Sequence, residues 1–327
     1  MTVRNQTDVQ LSVVIPCYNE EEVLPLLTER LGKALPRLNI DWEVIFVDDG
    51  SADKTRELLE QMHSGEPRFK VLGFSRNFGH QAAVAAGIAH SSGDVVAIMD
   101  ADLQDPPELL EQCLDKWRAG YSVIYAVRQK RKEGIFKKAA YAGFYRLLKT
   151  VADINIPLDS GDFCVMDRKV VDILNQMPER NIFLRGMRAW SGFKQIGLPY
   201  ERQERAAGAT KYPLKKLVRL ALDGIFSFST VPLRLATWLG LFTICLCLVG
   251  IMIFSAWRIF GLNLMGHVAE QLPGWTAGMV VVMFLSGIQL TMLGIMGEYM
   301  ARIYDEVKGR PRWIVETQHG WEEAPKR

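Results

Sequence analysis

Val95-Val96-Ala97-Ile98-Met99 runs straight into Asp100-Ala101-Asp102-Leu103-Gln104. Five consecutive apolar residues read as a strand buried on both faces, the pattern of a parallel sheet covered by helices. Ligands of open α/β sheets sit at the carboxyl ends of such strands. Two carboxylates one residue apart at that end, followed by the Gln104 carboxamide, make a hard-oxygen site suited to Mg²⁺ or Mn²⁺. An ion held there that also bridges a diphosphate neutralises charge as the diphosphate departs.

Upstream, the same rhythm repeats. Ser12–Pro16, Glu43–Val47 and Lys70–Phe74 read as strands, alternating with helices over Glu21–Leu35, Asp53–His63 and His80–His90. A further helix opens at Pro106-Pro107, where proline is tolerated in a first turn, and runs to about Ala119. Strands alternating with helices imply an α/β domain with a mostly parallel sheet covered on both faces.

The other strand ends carry polar groups too. They are Cys17-Tyr18-Asn19-Glu20, Asp48-Asp49-Gly50-Ser51 and Ser75-Arg76-Asn77-Phe78-Gly79. An aromatic stacks on a base, a carboxylate accepts from a base N–H or a ribose hydroxyl, and glycine lets backbone approach a ligand. Together, at successive ends along one sheet edge, they point to a nucleotide. A dinucleotide fold needs G-x-G-x-x-G after the first strand, where this chain has Pro16-Cys17-Tyr18-Asn19-Glu20-Glu21, and no G-x-x-x-x-G-K-[ST] occurs. Phosphates are therefore expected on metal and side chains, as for a nucleotide sugar.

The C-terminal third differs. No charge interrupts the 23 residues from Leu235 to Trp257 or the 27 from Gln271 to Gly297, and about 20 suffice to cross a bilayer. Lys211, Lys215, Lys216, Arg219 and Arg234 precede the first stretch, and Arg302, Lys308, Arg310 and Arg312 follow the second; the loop holds only Arg258. That asymmetry predicts a multi-pass inner-membrane protein with both termini cytoplasmic. Residues 1–10 are polar, so no signal peptide is expected. The expected divisions are a cytoplasmic domain (1–213), membrane-surface amphipathic helices (214–234), a two-helix transmembrane domain (235–297) and a cytoplasmic tail (298–327). A net charge of +2 without a basic stripe argues against nucleic acid. The five cysteines and five histidines show no metal or disulfide spacing and read as structural or incidental.

Val13-Val14-Ile15-Pro16-Cys17-Tyr18-Asn19-Glu20, Asp48-Asp49-Gly50-Ser51, Asn77-Phe78-Gly79 and Asp100-Ala101-Asp102-Leu103-Gln104 together resemble the inverting GT-A glycosyltransferases of family 2, which have a Rossmann-like sheet. Asp159-Ser160-Gly161-Asp162-Phe163, Arg205-Ala206-Ala207-Gly208-Ala209-Thr210-Lys211-Tyr212 and the two apolar stretches narrow the resemblance. They make the chain similar to polyprenyl-phosphate glycosyltransferases of the dolichol-phosphate-mannose synthase type, nearest the bacterial bactoprenol glucosyltransferases, with Asp162 favouring the bacterial glucosyl and aminoarabinosyl branches. The resemblance implies nucleotide-sugar contacts at Pro16, Tyr18, Glu20, Asp49 and Asp100, and a metal pair at Asp102 and Gln104, with Asp100 alongside. Asn19, Asp48, Asn77 and Ala101 complete the expected donor site. The implied reaction moves a hexose, glucose from UDP-glucose, onto undecaprenyl phosphate. Mannose, GlcNAc and formamido-arabinose are the alternatives.

A lipid monophosphate acceptor changes the catalytic problem. Its second pKa lies near 6, so the nucleophile is already an oxyanion. The difficulty is repulsion: at ~4 Å two unit charges cost about 4 kcal/mol at an effective dielectric of 20. Arg128, Arg131, Arg205 and Lys211 are the candidate cations, Gly208 giving the last two a mobile loop. Asp162 reads either as a base or as a group orienting one of those arginines; the ionised nucleophile favours orientation. Ile135–Lys149 and Leu214–Leu222 read as basic amphipathic helices on an anionic leaflet. Gly287 and Gly294 permit close helix contacts and an oligomer. A processive polysaccharide synthase would carry Q-x-x-R-W, absent here. A membrane scaffold that kept the fold is the non-enzymatic alternative.

Overall fold

The computed structural model describes residues 9–129, 160–180, 182–201, 231–260 and 274–321. The chain divides into two compact units, Met1–Gly224 with Arg310–Arg327, and Ile225–Gly309.

The first unit is built on an eight-stranded mixed sheet. Its strands are β1 (Leu11–Cys17), β2 (Trp42–Asp48), β3 (Phe69–Phe74), β4 (Val95–Ile98), β5 (Val123–Gln129), β6 (Ser160–Asp167), β7 (Gln195–Glu201) and β8 (Val315–His319). The order is β7-β5-β6-β4-β1-β2-β3-β8. The block β4-β1-β2-β3 is parallel, as the alternating pattern implies. β6 then runs antiparallel to both β4 and β5, and β8 antiparallel to β3.

Helices α1 (Leu24–Ala34), α2 (Thr55–Gly65), α3 (His80–Ala89), α4 (Leu109–Arg118), α5 (Arg168–Gln176) and α6 (Leu184–Trp190) accompany the sheet. α1 begins three residues later than expected, which moves Pro25 into the first turn, where its missing N–H costs no helical bond. Leu24, Leu27 and Leu31 of α1, Leu59 of α2, and Leu110 and Leu114 of α4 pack with Val13, Ile15, Val44 and Phe46 on one face. On the other face Ala83 and Ala86 of α3 meet Ile45, Val47, Leu72 and Phe74, joined by Trp313 and Trp321 from the C-terminal segment. The approach of α3 is close: a Cβ on Gly87 would lie 2.2 Å from Val14 Cγ1.

The second unit holds α7 (Val231–Phe260) and α8 (Gly274–Val307). Both are long and apolar enough to cross a bilayer, over Val231–Gly250 and Val281–Val307. Trp238, Phe242, Met283 and Phe284 are exposed, so these are not buried helices of a soluble core. Length, composition and exposure together mark the unit as membrane-associated.

α8 continues ten residues past Gly297, because Glu298, Arg302 and their neighbours sustain a helix that apolarity alone does not mark. The expected tail then returns to the first unit as β8 and closes the β3 edge. Its pattern, alternating intermediate and exposed positions, gives no apolar signal in the sequence. The stretches 130–159 and 202–230, with Arg131, Arg205, Lys211 and both basic amphipathic segments, lie outside the described residues.

Candidate active site

The carboxyl ends of β1 and β2 are stitched into one ledge. Asn19 adopts a left-handed conformation with φ 54°, which asparagine tolerates better than most residues. Its Oδ1 accepts from Ala52 N at 2.8 Å, and its own N–H donates to Ser51 Oγ at 3.0 Å. Glu20 N donates to Thr55 Oγ1 at 2.8 Å. Between these groups Tyr18 stands exposed, free to stack on a planar ligand. A Cβ on Gly50 would lie 2.4 Å from the Arg76 carbonyl carbon, so the β2 turn can press on the β3 loop only as glycine.

The tandem aspartates are both hydrogen-bonded within the protein. Asp48 is fully buried; Arg56 Nε donates to its Oδ2 at 2.9 Å and Ser51 N to its Oδ1 at 3.0 Å. Asp49, nearly buried, accepts from Phe78 N at 2.7 Å and Gly79 N at 3.0 Å. Burial raises the Asp49 carboxyl above its usual range, and those two N–H bonds oppose the rise. Both residues brace turns: Asp48 under the β2 end, Asp49 under the Asn77-Phe78-Gly79 loop. Pro16 and Ala101 are likewise buried, so their side chains set backbone and core. Asn77 remains exposed.

The β4 end forms a tight turn. Leu103 takes φ 57°, a conformation costing a leucine roughly 1–2 kcal/mol. Burial of its side chain in the main core offsets this. Gln104 N donates to Asp102 Oδ1 at 3.1 Å. Asp105, fully buried, hydrogen-bonds the Tyr200 hydroxyl and ties the turn to β7.

The antiparallel partner of β4 supplies what the parallel block lacks. β4 and β6 set Ile98 opposite Cys164, and two residues further along that register Asp100 faces Asp162. Like charges across strands destabilise a sheet unless basic groups intervene. A histidine and two arginines do. His80, first residue of α3, places Nε2 at 3.7 Å from Asp100 Oδ1 and 3.9 Å from Asp162 Oδ2. Arg185 of α6 donates from Nε to Asp162 Oδ1 at 2.8 Å. Arg188, one turn on and buried, has its guanidinium carbon 5.3 Å from the Tyr125 ring centre.

These neighbours drive the two carboxyls apart. Burial pushes Asp100 up to about 6, Asp162 adding to the rise and His80 opposing it. Burial would raise Asp162 as well, but the Arg185 charge and hydrogen bond outweigh it, helped by His80 and Arg188, and leave it at about 2. Asp162 is therefore a fixed anion near neutral pH. Among the described residues the arginine it holds is Arg185, which the sequence did not single out. Arg128 lies on β5, whose register with β7 sets it opposite Tyr200.

Among the described residues no three His, Cys, Asp or Glu side chains converge as a metal shell. The donors at the β4 end instead fit an ion completed by substrate: a carboxylate and a carboxamide oxygen from Asp102 and Gln104, the rest from phosphate and water. A bound ion would offset charge on a leaving diphosphate.

The family model named Glycosyl transferase family 2 matches residues 12–174. The glycosyltransferase YkcC of Bacillus subtilis is 45% identical over 315 residues, covering 96% of this chain and 95% of that protein. This chain belongs to glycosyl transferase family 2. A bactoprenol glucosyl transferase of Shigella phage SfII is 37% identical over 312 residues, 95% of this chain and 99% of that one. Among solved structures, Mycobacterium tuberculosis glucosyl-3-phosphoglycerate synthase with Mn²⁺, UDP and glucosyl-3-phosphoglycerate is 18% identical, covering 67% of this chain and 78% of that one, with a TM-score of 0.42. The family match spans β1 to α5, including all four strand ends and Asp162. It stops short of Arg185 and Arg188.

Proposed function

We propose that this enzyme transfers a hexose, glucose from UDP-glucose, to undecaprenyl phosphate at the cytoplasmic membrane face, giving a lipid-linked sugar for envelope glycans. The observation carrying this reading is similarity to bactoprenol glucosyl transferases over nearly the whole chain, through both long helices. Tyr18, Glu20 and Asn77 border the nucleotide, and Asp102 with Gln104 holds Mg²⁺ or Mn²⁺ on the diphosphate.

The chemistry fits an acceptor that needs no base. A lipid phosphate arrives ionised, and Asp162, held near 2 by Arg185, is a poor proton acceptor at neutral pH. Its role is to fix Arg185 and to present a negative edge to the sugar. Arg128, Arg131, Arg205 and Lys211 neutralise the acceptor. α7 and α8 span the membrane with both termini inside, and open space around Gly287 and Gly294 supports helix contacts between copies.

Label transfer into an organic-soluble lipid fraction tests this reading, with UDP-glucose, UDP-GlcNAc, GDP-mannose and UDP-formamido-arabinose compared. Preference for UDP-glucose supports it. Preference for another donor reassigns the sugar, and no lipid product from any donor overturns the reaction.

A further inference from the structure

β8 meets β3 out of step at one place. Gly73 pairs with Thr317 and Phe74 with Val315, so Glu316 is an extra residue between the two pairs. A bulge of this kind bends its strand and re-aims a side chain, and bulges gather beside active sites. The side chain re-aimed here is an acid that reaches back over the sheet edge: Glu316 Oε2 accepts from Arg56 Nη1 at 2.7 Å. β3 leaves room for that approach at Gly73, where a Cβ would collide with Thr317 Oγ1 and lie 3.3 Å from the Arg56 guanidinium carbon.

Arg56 is spread over acceptors from three strands. Beside the Glu316 contact, its Nε donates to Asp48 Oδ2 at 2.9 Å and its Nη2 to the Phe74 carbonyl at 2.6 Å. From Asp48 the contacts run inward. Its other oxygen accepts from Ser51 N at 3.0 Å, Ser51 Oγ accepts from Asn19 N at 3.0 Å, and Asn19 follows Tyr18. On the β3 side, Ser75 N donates to the Ile314 carbonyl at 3.1 Å. The loops bordering Tyr18 are therefore tied to one another on the inside and to β8 on the outside. Covering a sheet edge needs only backbone pairing and apolar packing, which Trp313 and Val315 already supply. The acid at the bulge adds something else: it holds a planar guanidinium in one orientation.

We infer that Glu316, in a strand that follows both long apolar helices in the chain, is a positioning residue for the nucleotide end of the donor site, acting through Arg56 and Asp48 on the Ser51–Asn19 ledge. This deepens the donor half of the proposed function and rests on its nucleotide reading of the β1 to β3 ends, not on the lipid acceptor. Glu316 acts at a distance from the bound donor. It orders in advance the loops that a nucleotide would otherwise have to order on binding, which lowers the cost of association. The benefit is felt by UDP and UDP-glucose alike and leaves the chemical step unchanged.

The test is nucleotide binding and turnover by the full-length chain in detergent with Mn²⁺, each variant kept below its unfolding transition. UDP and UDP-glucose are titrated against wild type, Glu316→Ala, Glu316→Gln, Arg56→Lys, the Glu316→Ala/Arg56→Lys double variant, and Gln318→Ala at an exposed position two residues along β8. Glu316→Ala should weaken both ligands by the same factor, about three- to fivefold, as loss of one half-exposed ion pair implies. KM for UDP-glucose should rise accordingly, with kcat within twofold of wild type. Glu316→Gln, which still accepts from Arg56, should recover part of the loss. Arg56→Lys, whose ammonium cannot span three acceptors, should lose about tenfold. Adding Glu316→Ala to Arg56→Lys should cost no further affinity, because the two residues act as one unit. Gln318→Ala should match wild type.

Wild-type affinity in Glu316→Ala overturns the inference. So does an additive loss in the double variant, or an equal loss in Gln318→Ala, since either makes β8 a general support. If wild type binds neither nucleotide, the donor reading fails and the inference falls with it. If the binding pattern holds while no lipid product forms in the transfer assay, the acceptor reading fails and the positioning role stands.

Discussion

Arg185 Nε donates to Asp162 Oδ1 at 2.8 Å, joining the first turn of α6 to the start of β6. This contact explains how a partly buried carboxylate beside Asp100 remains an anion. Because the folded-state pKa of Asp162 is depressed, its stabilisation is present above the ordinary carboxylate range and is lost as pH falls toward about 2. In Arg185→Ala only His80 and Arg188 still oppose burial, so the Asp162 pKa rises. Wild-type transfer should show no acidic limb from Asp162 between pH 5 and 8, whereas Arg185→Ala should gain one that Asp162→Asn in the same background removes. Identical pH–rate profiles for wild type and Arg185→Ala would show that the pair does not set the charge.

One arginine links the β8 edge to the ends of β2 and β3. Arg56 donates to buried Asp48 at 2.9 Å, to Glu316 at 2.7 Å and to the Phe74 carbonyl at 2.6 Å. Arg56→Ala leaves Asp48 with only the Ser51 N–H among the contacts described above. Breaking a fully buried pair costs 3–5 kcal/mol; with Arg56 28% exposed, about 2–3 kcal/mol is expected. Glu316→Ala, at the exposed side of the same arginine, should cost under about 1 kcal/mol. Denaturant midpoints of the two variants check the ordering, and equal losses would contradict it.

Arg205 is assigned to the acceptor by the proposed function. Arg205→Ala should reduce transfer by about one to two orders of magnitude at sub-saturating lipid, as loss of a charge-assisted contact implies, with UDP-glucose affinity near wild type. Arg205→Lys should recover part, since ammonium lacks the bidentate fork. Weakened donor binding with a normal lipid response would move Arg205 to the diphosphate.

The basic flanks predict topology. A thiol-reactive probe should label a cysteine placed at Gly266 from outside intact cells, and one at Lys326 only after permeabilisation. Outside labelling at Lys326 would reverse the orientation.

The parallel block β4-β1-β2-β3 was legible because each strand is a short apolar run followed by a helix, information local to some 25 residues. The sheet's flanks were not. β6 and β8 pair antiparallel with strands far away in sequence, and nothing in Ser160–Asp167 names β4 as its partner. The missed site residues follow from that pairing. Asp162 was visible as a motif, but its register opposite Asp100 was not, so His80 looked incidental and Arg185 and Arg188 were not singled out. A histidine immediately after Asn77-Phe78-Gly79, at a strand-end loop, was the available signal. The turn-bracing bonds of Asp48 and Asp49 were hidden for a related reason: a carboxylate at a strand end serves a turn as readily as a ligand.

The central claim is metal-assisted transfer to a lipid phosphate at the Asp102 end of β4. The direct measurement is radiolabel from UDP-glucose entering the organic phase with undecaprenyl phosphate, for wild type and Asp102→Ala, with Mn²⁺ or after chelation. The account predicts lipid-linked glucose from wild type with metal, loss of most of that product on chelation, and little product from Asp102→Ala although it remains folded. Label confined to the aqueous phase with wild type, or full transfer by Asp102→Ala in metal-depleted buffer, would contradict it.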